Sequence, residues 1–512
     1  MAMTFRSILF VADDGTEAGA REAPEILGDL NLDQIIDGIT AGKEEYDLKP
    51  FFYAPLGEPD AVLYRQEVMR DLEDERLFAA VEEFAGGIRR MREELERVKK
   101  LYYEYQKHWW FVDAVEAYCA AVRGLGATLE RAKPASRGFR GLKEYVAEYM
   151  ASAAFTTLGE EARRVKEQLA AIQYSLIIKD DALTVQGYEG EADYSIAVEA
   201  TFRKFAQGEG KDYRVKFPER VEMNHVEAAA LDFVAKLNGK AFATLERFCA
   251  AHAGYLDATI GRFDREVQFY LSYLRYIREL EEAGLLFTLP ALSTVEKDIA
   301  VEEGFDLALA KKLAAEKRRV VTNDFRLGGP ERIIIVSGPN NGGKTTFARM
   351  FGQLHYLAGV GCKVPGRAAR LYLADRIFTH FEREEKVADL RSKFEEDLIR
   401  VHEFLKLSTS RSIVVMNESF SSTSLKDAVF IGQKVMRRII GKDLICLFVT
   451  FIDELAALSD TSVSMVSTIV PGDPASRTYK IVRRAADGRA YAMAVAEKHR
   501  LTYEQLRERI VA

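Results

Sequence analysis

The chain is poor in cysteine. Its 512 residues include four, Cys119, Cys249, Cys362 and Cys446, scattered and without a C-x-x-C pair. That spacing argues against a zinc site or a disulfide framework and suits reduced thiols, as in a cytoplasmic protein. A basic surplus is missing too. Lys and Arg number 72 against 79 Asp and Glu, a net charge of −7. A global electrostatic footprint for nucleic acid is therefore excluded, and any such surface has to be a local patch. Long hydrophobic runs are also lacking. Leu444 to Ile452 is too short to span a bilayer and fits a buried strand. The N-terminal apolar stretch runs only to Phe10 before Asp13 and Asp14, too short for a signal peptide. No membrane contact, internal repeat or low-complexity tract is expected.

What remains is an ordinary globular composition, 48% hydrophobic, with length for roughly three domains of about 150 residues. The texture changes along the chain. Residues 1–300 are mostly helical in pattern, and 301–512 alternate strand and helix signals as an α/β domain does. Two stretches in the first part step by three and four. One is Val81, Phe84, Ile88, Met91, Leu95, Val98, Tyr102 and Tyr105; the other is Leu256, Ile260, Phe263, Val267, Tyr270, Leu274 and Ile277. Such spacing is a heptad seam. It fits either two core helices of a bundle or a pair of lever arms.

Between them, Leu176–Gln186, Tyr194–Val198 and Tyr213–Phe217 have strand character, with Gly187, Gly190, Gly208 and Gly210 as turn points. The spacing predicts a small strand-containing, clamp-like insertion over about 176–222. Acidic residues outnumber basic ones there, which is poor for gripping phosphates. Arg203, Lys204, Lys211, Arg214 and Lys216 read as a solvated mixed surface before a single positive face. The cluster Lys317-Arg318-Arg319 reads as a solvated helix end.

The chemistry concentrates at Gly338-Pro339-Asn340-Asn341-Gly342-Gly343-Lys344-Thr345-Thr346, a G-x-x-x-x-G-K-[ST] loop. The β-rich run Arg332–Ser337 precedes it and a helical pattern follows. Strand, glycine loop and helix in that order make a nucleotide site. Glycines let backbone N–H groups close around phosphates, and the helix N-terminus adds partial positive charge. Lys344 is placed to reach the β- and γ-phosphates of ATP, and the Thr345 hydroxyl to face Mg²⁺. A second strand, Ser412–Met416, runs into Asn417 and Glu418. The usual pattern ends Asp-Glu, the first acid serving the metal and the second the attacking water. Asn417 offers the metal an uncharged amide oxygen, so metal affinity weakens. Glu418 keeps the role of general base.

These residues carry a resemblance. The loop at 338–346 resembles the Walker A loop of the MutS family of DNA mismatch repair ATPases. Further matches follow in order: Gly361–Pro365, Asp375–Thr379, Ser392-Lys-Phe-Glu-Glu-Asp397 and Met416-Asn-Glu-Ser-Phe-Ser-Ser-Thr-Ser424, with Val321–Asp324 upstream. The likeness is strong over about 320–500 and architectural over 1–300: a helical core, two levers and a clamp-like insertion. It implies an all-α core and lever region followed by an ABC-type P-loop ATPase domain that acts as a homodimer. In such a dimer Ser392 faces the γ-phosphate bound by the partner. It also implies ATP and Mg²⁺ as cofactors and DNA, duplex or branched, as a sequence-independent partner.

Several departures qualify it. Asn417 replaces the family's Asp, Phe451 stands where the family has a His, and Lys393 and Asp397 alter the signature segment. The short stretch ahead of Val81 leaves no room for the domain with the Phe-x-Glu wedge that enters a mismatched duplex. No nuclease domain is recognisable beyond the strand pair Thr478–Val482 and Tyr491–Val495. The expectation is a dimeric, ATP-gated DNA clamp with slow hydrolysis and no direct mismatch reading. The alternative is a nucleotide-switched factor acting on a protein or RNA, with little or no DNA binding.

Overall fold

The computed structural model describes residues 5–11, 22–180, 182–191, 194–205, 223–382, 393–420, 423–470, 473–485, 503, 506 and 507. The chain packs into two compact units. The first comprises Met1–Phe5, Asp74–Pro134 and Phe139–Asp264; the second comprises Arg6–Glu73, Ala135–Gly138 and Arg265–Ala512. The segments 6–73 and 265–300 fall in the second unit with the α/β region. Among the described residues no helix is long and apolar enough to cross a membrane. All four cysteines are free. Burial pushes the thiols of Cys119 and Cys249 up to about 11 and about 12, which keeps them inert.

In the first unit, Asp74 caps α1 (Glu75–Lys100) by accepting from the Arg76 N–H at 2.8 Å. Val81, Phe84, Ile88 and Met91 form its buried stripe. That stripe faces α2 (Glu104–Ala132), and the backbones come close where a Cβ on Gly87 would lie 2.7 Å from the Ala121 Cβ. The unbroken seam expected from Val81 to Tyr105 is therefore two helices. Leu101 turns extended (φ −69°, ψ 149°) and is buried, Tyr102 is 84% exposed, and Tyr105 belongs to α2. The three–four spacing survives the break by coincidence, because the chain reverses over three residues into an αα-hairpin.

Leu176–Gln186 is a hairpin of β1 (Tyr174–Lys179) and β2 (Ala182–Gly187), turning at Asp180 with φ +53°. Tyr194–Val198, expected as a strand, is the start of helix α3 (Tyr194–Phe205). Its Ile and Val favour strand locally, but a helical run follows, and Thr201 Oγ1 donates back to Ala197 O at 2.8 Å. The expected strand Tyr213–Phe217 and Lys211, Arg214 and Lys216 lie outside the described residues. The second seam is α4 (Ala258–Glu282). Leu256 precedes it and stays exposed, while Ile260, Phe263, Val267, Tyr270 and Ile277 are buried.

The second unit holds a sheet of six strands among the described residues. They are β3 (Ile333–Ser337), β4 (Ile377–Phe381), β5 (Ile413–Asn417), β6 (Ile445–Val449), β7 (Ser462–Val470) and β8 (Asp473–Arg483). The order is β4-β5-β6-β3-β7-β8, parallel except for the β7–β8 pair. Strands β3, β5 and β6 are buried at every position, as a sheet covered on both faces requires. Helix α5 (Lys344–Val360) packs on β5 and β6. Helices α6 (Lys393–Leu407) and α7 (Leu425–Gly441) share a core with β3, β5 and β6 through Val401, Phe404, Val435, Met436 and Ile439. Helix α5 is apolar nearly all round, so it lies inside the unit. There Gly352 admits Leu30, whose Cδ2 would be 2.4 Å from an added Cβ. Thr478–Val482 falls within β8, whose partner is β7. Tyr491–Val495 lies outside the described residues.

Candidate functional site

The loop at 338–343 leaves the carboxyl end of β3 and enters α5. Its path needs left-handed backbone at Gly338 (φ +115°), Asn341 (φ +58°) and Gly343 (φ +88°). Gly342 is obligatory for another reason: a Cβ there would sit 2.1 Å from Ser467 Oγ. Ser467, buried on β7, donates to Gly342 O at 2.7 Å. From β8, Arg477 Nε donates to Asn340 O at 3.1 Å. Asn323 fixes the same strand by donating to Tyr479 O at 3.2 Å and accepting from the Ile481 N–H at 2.8 Å. The loop is thus held from behind by neighbouring strands, with its own N–H groups left for a ligand. Sequence reasoning missed Ser467, Arg477 and Asn323. Ser467 is one of four hydroxyl residues on β7, so no sequence signal singles it out.

Gly343 gives α5 no side-chain cap, so the first N–H groups of a 17-residue helix and its dipole are free to meet an anion. Lys344 opens the helix and is 6% exposed. Its ammonium donates to Gly338 O at 3.2 Å, Pro339 O at 3.1 Å and Asn340 Oδ1 at 3.4 Å. Glu418 Oε1 lies 3.9 Å away. Burial lowers the Lys344 pKa from its ordinary value; Glu418 opposes that shift and Arg477 adds to it. Thr345 and Thr346 are half-buried in the first turn.

The acid side sits at the end of β5. Asn417 is buried, and its Oδ1 has no hydrogen-bond partner among the described residues. A buried amide oxygen left unpaired costs about 1–3 kcal/mol, so it is kept where something is to fill it. Glu418 follows with φ +50° and its N–H on Val449 O of β6 at 2.9 Å. Phe420 has φ +66° and is fully buried. Two left-handed non-glycine residues here cost about 1–3 kcal/mol each, strain that the surroundings must hold. Between them Ser419 Oγ lies 2.7 Å from His380 Nδ1 of β4. His380 Nε2 lies 3.3 Å from Asp397 Oδ1 of α6. That nitrogen makes no aligned hydrogen bond among the described residues. Sequence reasoning did not find His380 or Ser419.

At the end of β6, the Thr450 N–H donates to Val336 O at 3.0 Å, and Phe451 is 54% exposed. The structure therefore gathers the whole loop at 338–346, Asn417 and Glu418 at the carboxyl ends of β3 and β5, where parallel sheets carry ligands. Ser392 lies outside the described residues. Among the described residues no cluster of three or more His, Cys, Asp or Glu could hold a metal by itself.

Residues 334–508 match the family model of MutS domain V. That stretch is therefore MutS-like. The chain is similar to the DNA mismatch repair protein MutS of Azorhizobium caulinodans, 32% identical over 267 residues, 47% of this chain and 28% of that protein. It is 29% identical to the Orientia tsutsugamushi MutS over 210 residues, 40% of this chain and 24% of that one. For the Thermotoga maritima MutS the figures are 31% over 181 residues, 35% and 23%. The matches cover about a quarter of these relatives' length.

Proposed function

We propose that the chain binds ATP at the loop 338–346, hydrolyses it slowly, and acts as a dimeric, ATP-gated DNA-binding protein of MutS type. The observation that carries this reading is the meeting of Lys344 and Glu418, 3.9 Å apart at one end of the sheet. Lys344 exchanges the carbonyls of Gly338 and Pro339 for phosphate oxygens when ATP enters. The loop N–H groups and the open end of α5 take the remaining phosphate charge. Glu418, freed from the ammonium, accepts the proton of the attacking water. Mg²⁺ would neutralise charge on the phosphates. Thr345 and Asn417 would hold it, and the unpaired Asn417 Oδ1 suits a metal-bound water. With few protein donors, most of the coordination falls to phosphate and water, as is usual for this ion.

Turnover is slow because Asn417 brings no charge to the metal and Phe451 brings no hydrogen-bonding group to the γ-phosphate. Ser392 of a second copy completes each site. DNA is held without direct mismatch reading, as an intact duplex or a branched structure. The test is binding to both DNA forms at low salt with and without ATP. ATP-dependent retention supports the reading, and no binding in any condition sinks the DNA part.

A second reading replaces DNA with a protein or RNA. The insertion favours it, since it is acidic and exposes Tyr194 (77%) and Ile196 (69%) on α3. Pull-down with an ATP-locked protein, before and after nuclease treatment, separates the two.

A further inference from the structure

We infer that His380 is a positioning residue for Glu418. Through Ser419 and Asp397 it couples helix α6 to the strained turn that carries the proposed general base. This rests on the ATP reading of the same site and adds a control element to it.

Three polar side chains meet inside an apolar core. Ser419, His380 and Asp397 are 3%, 1% and 7% exposed. Their surroundings include Phe420, whose ring centroid is 6.2 Å from that of His380, and the cluster containing Phe378 and Phe404. Buried polar groups in such a setting cost stability unless bonded, and apolar residues of similar volume would fill the space more cheaply. The trio therefore has a use beyond packing.

The composition is that of a Ser-His-acid triad, but the geometry is not that of a nucleophile. Ser419 is sealed from solvent, so no substrate reaches its Oγ. What the trio connects is more informative. Ser419 lies between Glu418 and Phe420, the two left-handed residues of the turn. A hydrogen bond that fixes Ser419 fixes the direction in which Glu418 leaves the strand. Asp397 lies in the first turns of α6, which begins directly after residue 392. His380 bridges them.

A second strap stiffens the same junction. Arg400 of α6 donates to Phe381 O of β4 at 3.0 Å and lies 3.5 Å from Asp29 Oδ2. Thr379 of β4 donates to the same Asp29 carboxylate at 2.6 Å. Helix α6 and the end of β4 therefore move together. The Ser419–His380 contact is short, while the His380–Asp397 contact is close but misaligned. A small shift of α6 would align it, and the turn at Glu418 would follow. Misplacing a catalytic group by about 1 Å can cost about 100-fold in rate, so a link of this kind is felt in turnover.

The experiment measures the ATP dissociation constant, kcat and KM of the full chain. Wild type is compared with His380→Ala, His380→Asn, Ser419→Ala and the His380→Ala/Ser419→Ala double variant. We expect kcat in His380→Ala to fall about tenfold with the ATP dissociation constant within about twofold, because only the geometry of Glu418 is lost. His380→Asn restores a hydrogen-bonding group toward Ser419 and recovers part of kcat. The double variant is no worse than the worse single. Unchanged kcat in both His380 variants of a wild type that turns over ATP overturns the coupling alone. So do additive losses, or a dissociation constant that changes as much as kcat. If His380→Ala does not fold, Ser419→Ala and His380→Asn carry the same comparison. A wild type that does not hydrolyse ATP, whether or not it binds it, overturns the underlying reading of turnover and the coupling with it.

Discussion

The phosphate loop and the turn after β5 stand at the same end of one sheet and differ in kind. The loop keeps every residue that phosphate binding asks for, and neighbouring strands brace it through Ser467 and Arg477. The acid turn departs at Asn417, bears two left-handed non-glycine residues and leans on a buried histidine. On the proposed reading, binding and turnover are thus separable properties of this site. The first rests on backbone geometry that glycines secure. The second rests on one carboxylate whose direction is set by groups around it.

The comparison breaks most sharply at Glu418. Glu418→Gln is expected to lower kcat by about 100- to 10,000-fold while ATP binds as before, measured by phosphate release beside equilibrium binding. A variant that loses binding as well would place Glu418 in the loop's role.

On the loop side, the next effect is one of stability. Burial holds His355 of α5 down at about 4 from its ordinary 6.5, with Nδ1 on Phe351 O at 2.8 Å. Below pH 6.5 the unfolded chain takes up a proton that the folded one refuses until about pH 4. Folding stability therefore falls as pH drops through that window, by about 3 kcal/mol in full. Denaturant melts at pH 7 and pH 4.5 check this, and His355→Gln should flatten the slope.

Lys344→Ala is expected to weaken ATP binding by about 2 kcal/mol, or roughly 30-fold, the worth of charge-assisted bonds to phosphate. Calorimetric titration reads it. The smallest change sharpens the contrast in the opposite direction. Asn417→Asp restores a charge beside the metal and should raise apparent Mg²⁺ affinity in ATP turnover by about tenfold, about 1.4 kcal/mol. No gain would mean that the amide is not near the metal.

Much of this site was legible because its signals are local. Strand, glycine loop and helix follow one another in sequence, and β5 runs straight into Asn417 and Glu418. The braces were not legible, since Ser467 meets a loop residue 125 positions away and His380 meets Ser419 across 39. Such contacts exist only once the parallel strands are ordered. The helical part misled where local rules tie. Ile196 and Val198 favour strand, yet α3 continues through them. The heptad spacing also ran unbroken across residues 101–103, where the chain turns back. No pattern of three and four records a reversal, because one extended residue such as Leu101 makes it.

The most direct test of the account is phosphate release by wild type, Glu418→Gln and Lys344→Ala, measured side by side in excess Mg²⁺ at an ATP concentration well below the wild-type KM. The account predicts slow release by wild type and none above background from either variant. Equal release from all three would contradict it, because the loop and Glu418 would then take no part in hydrolysis.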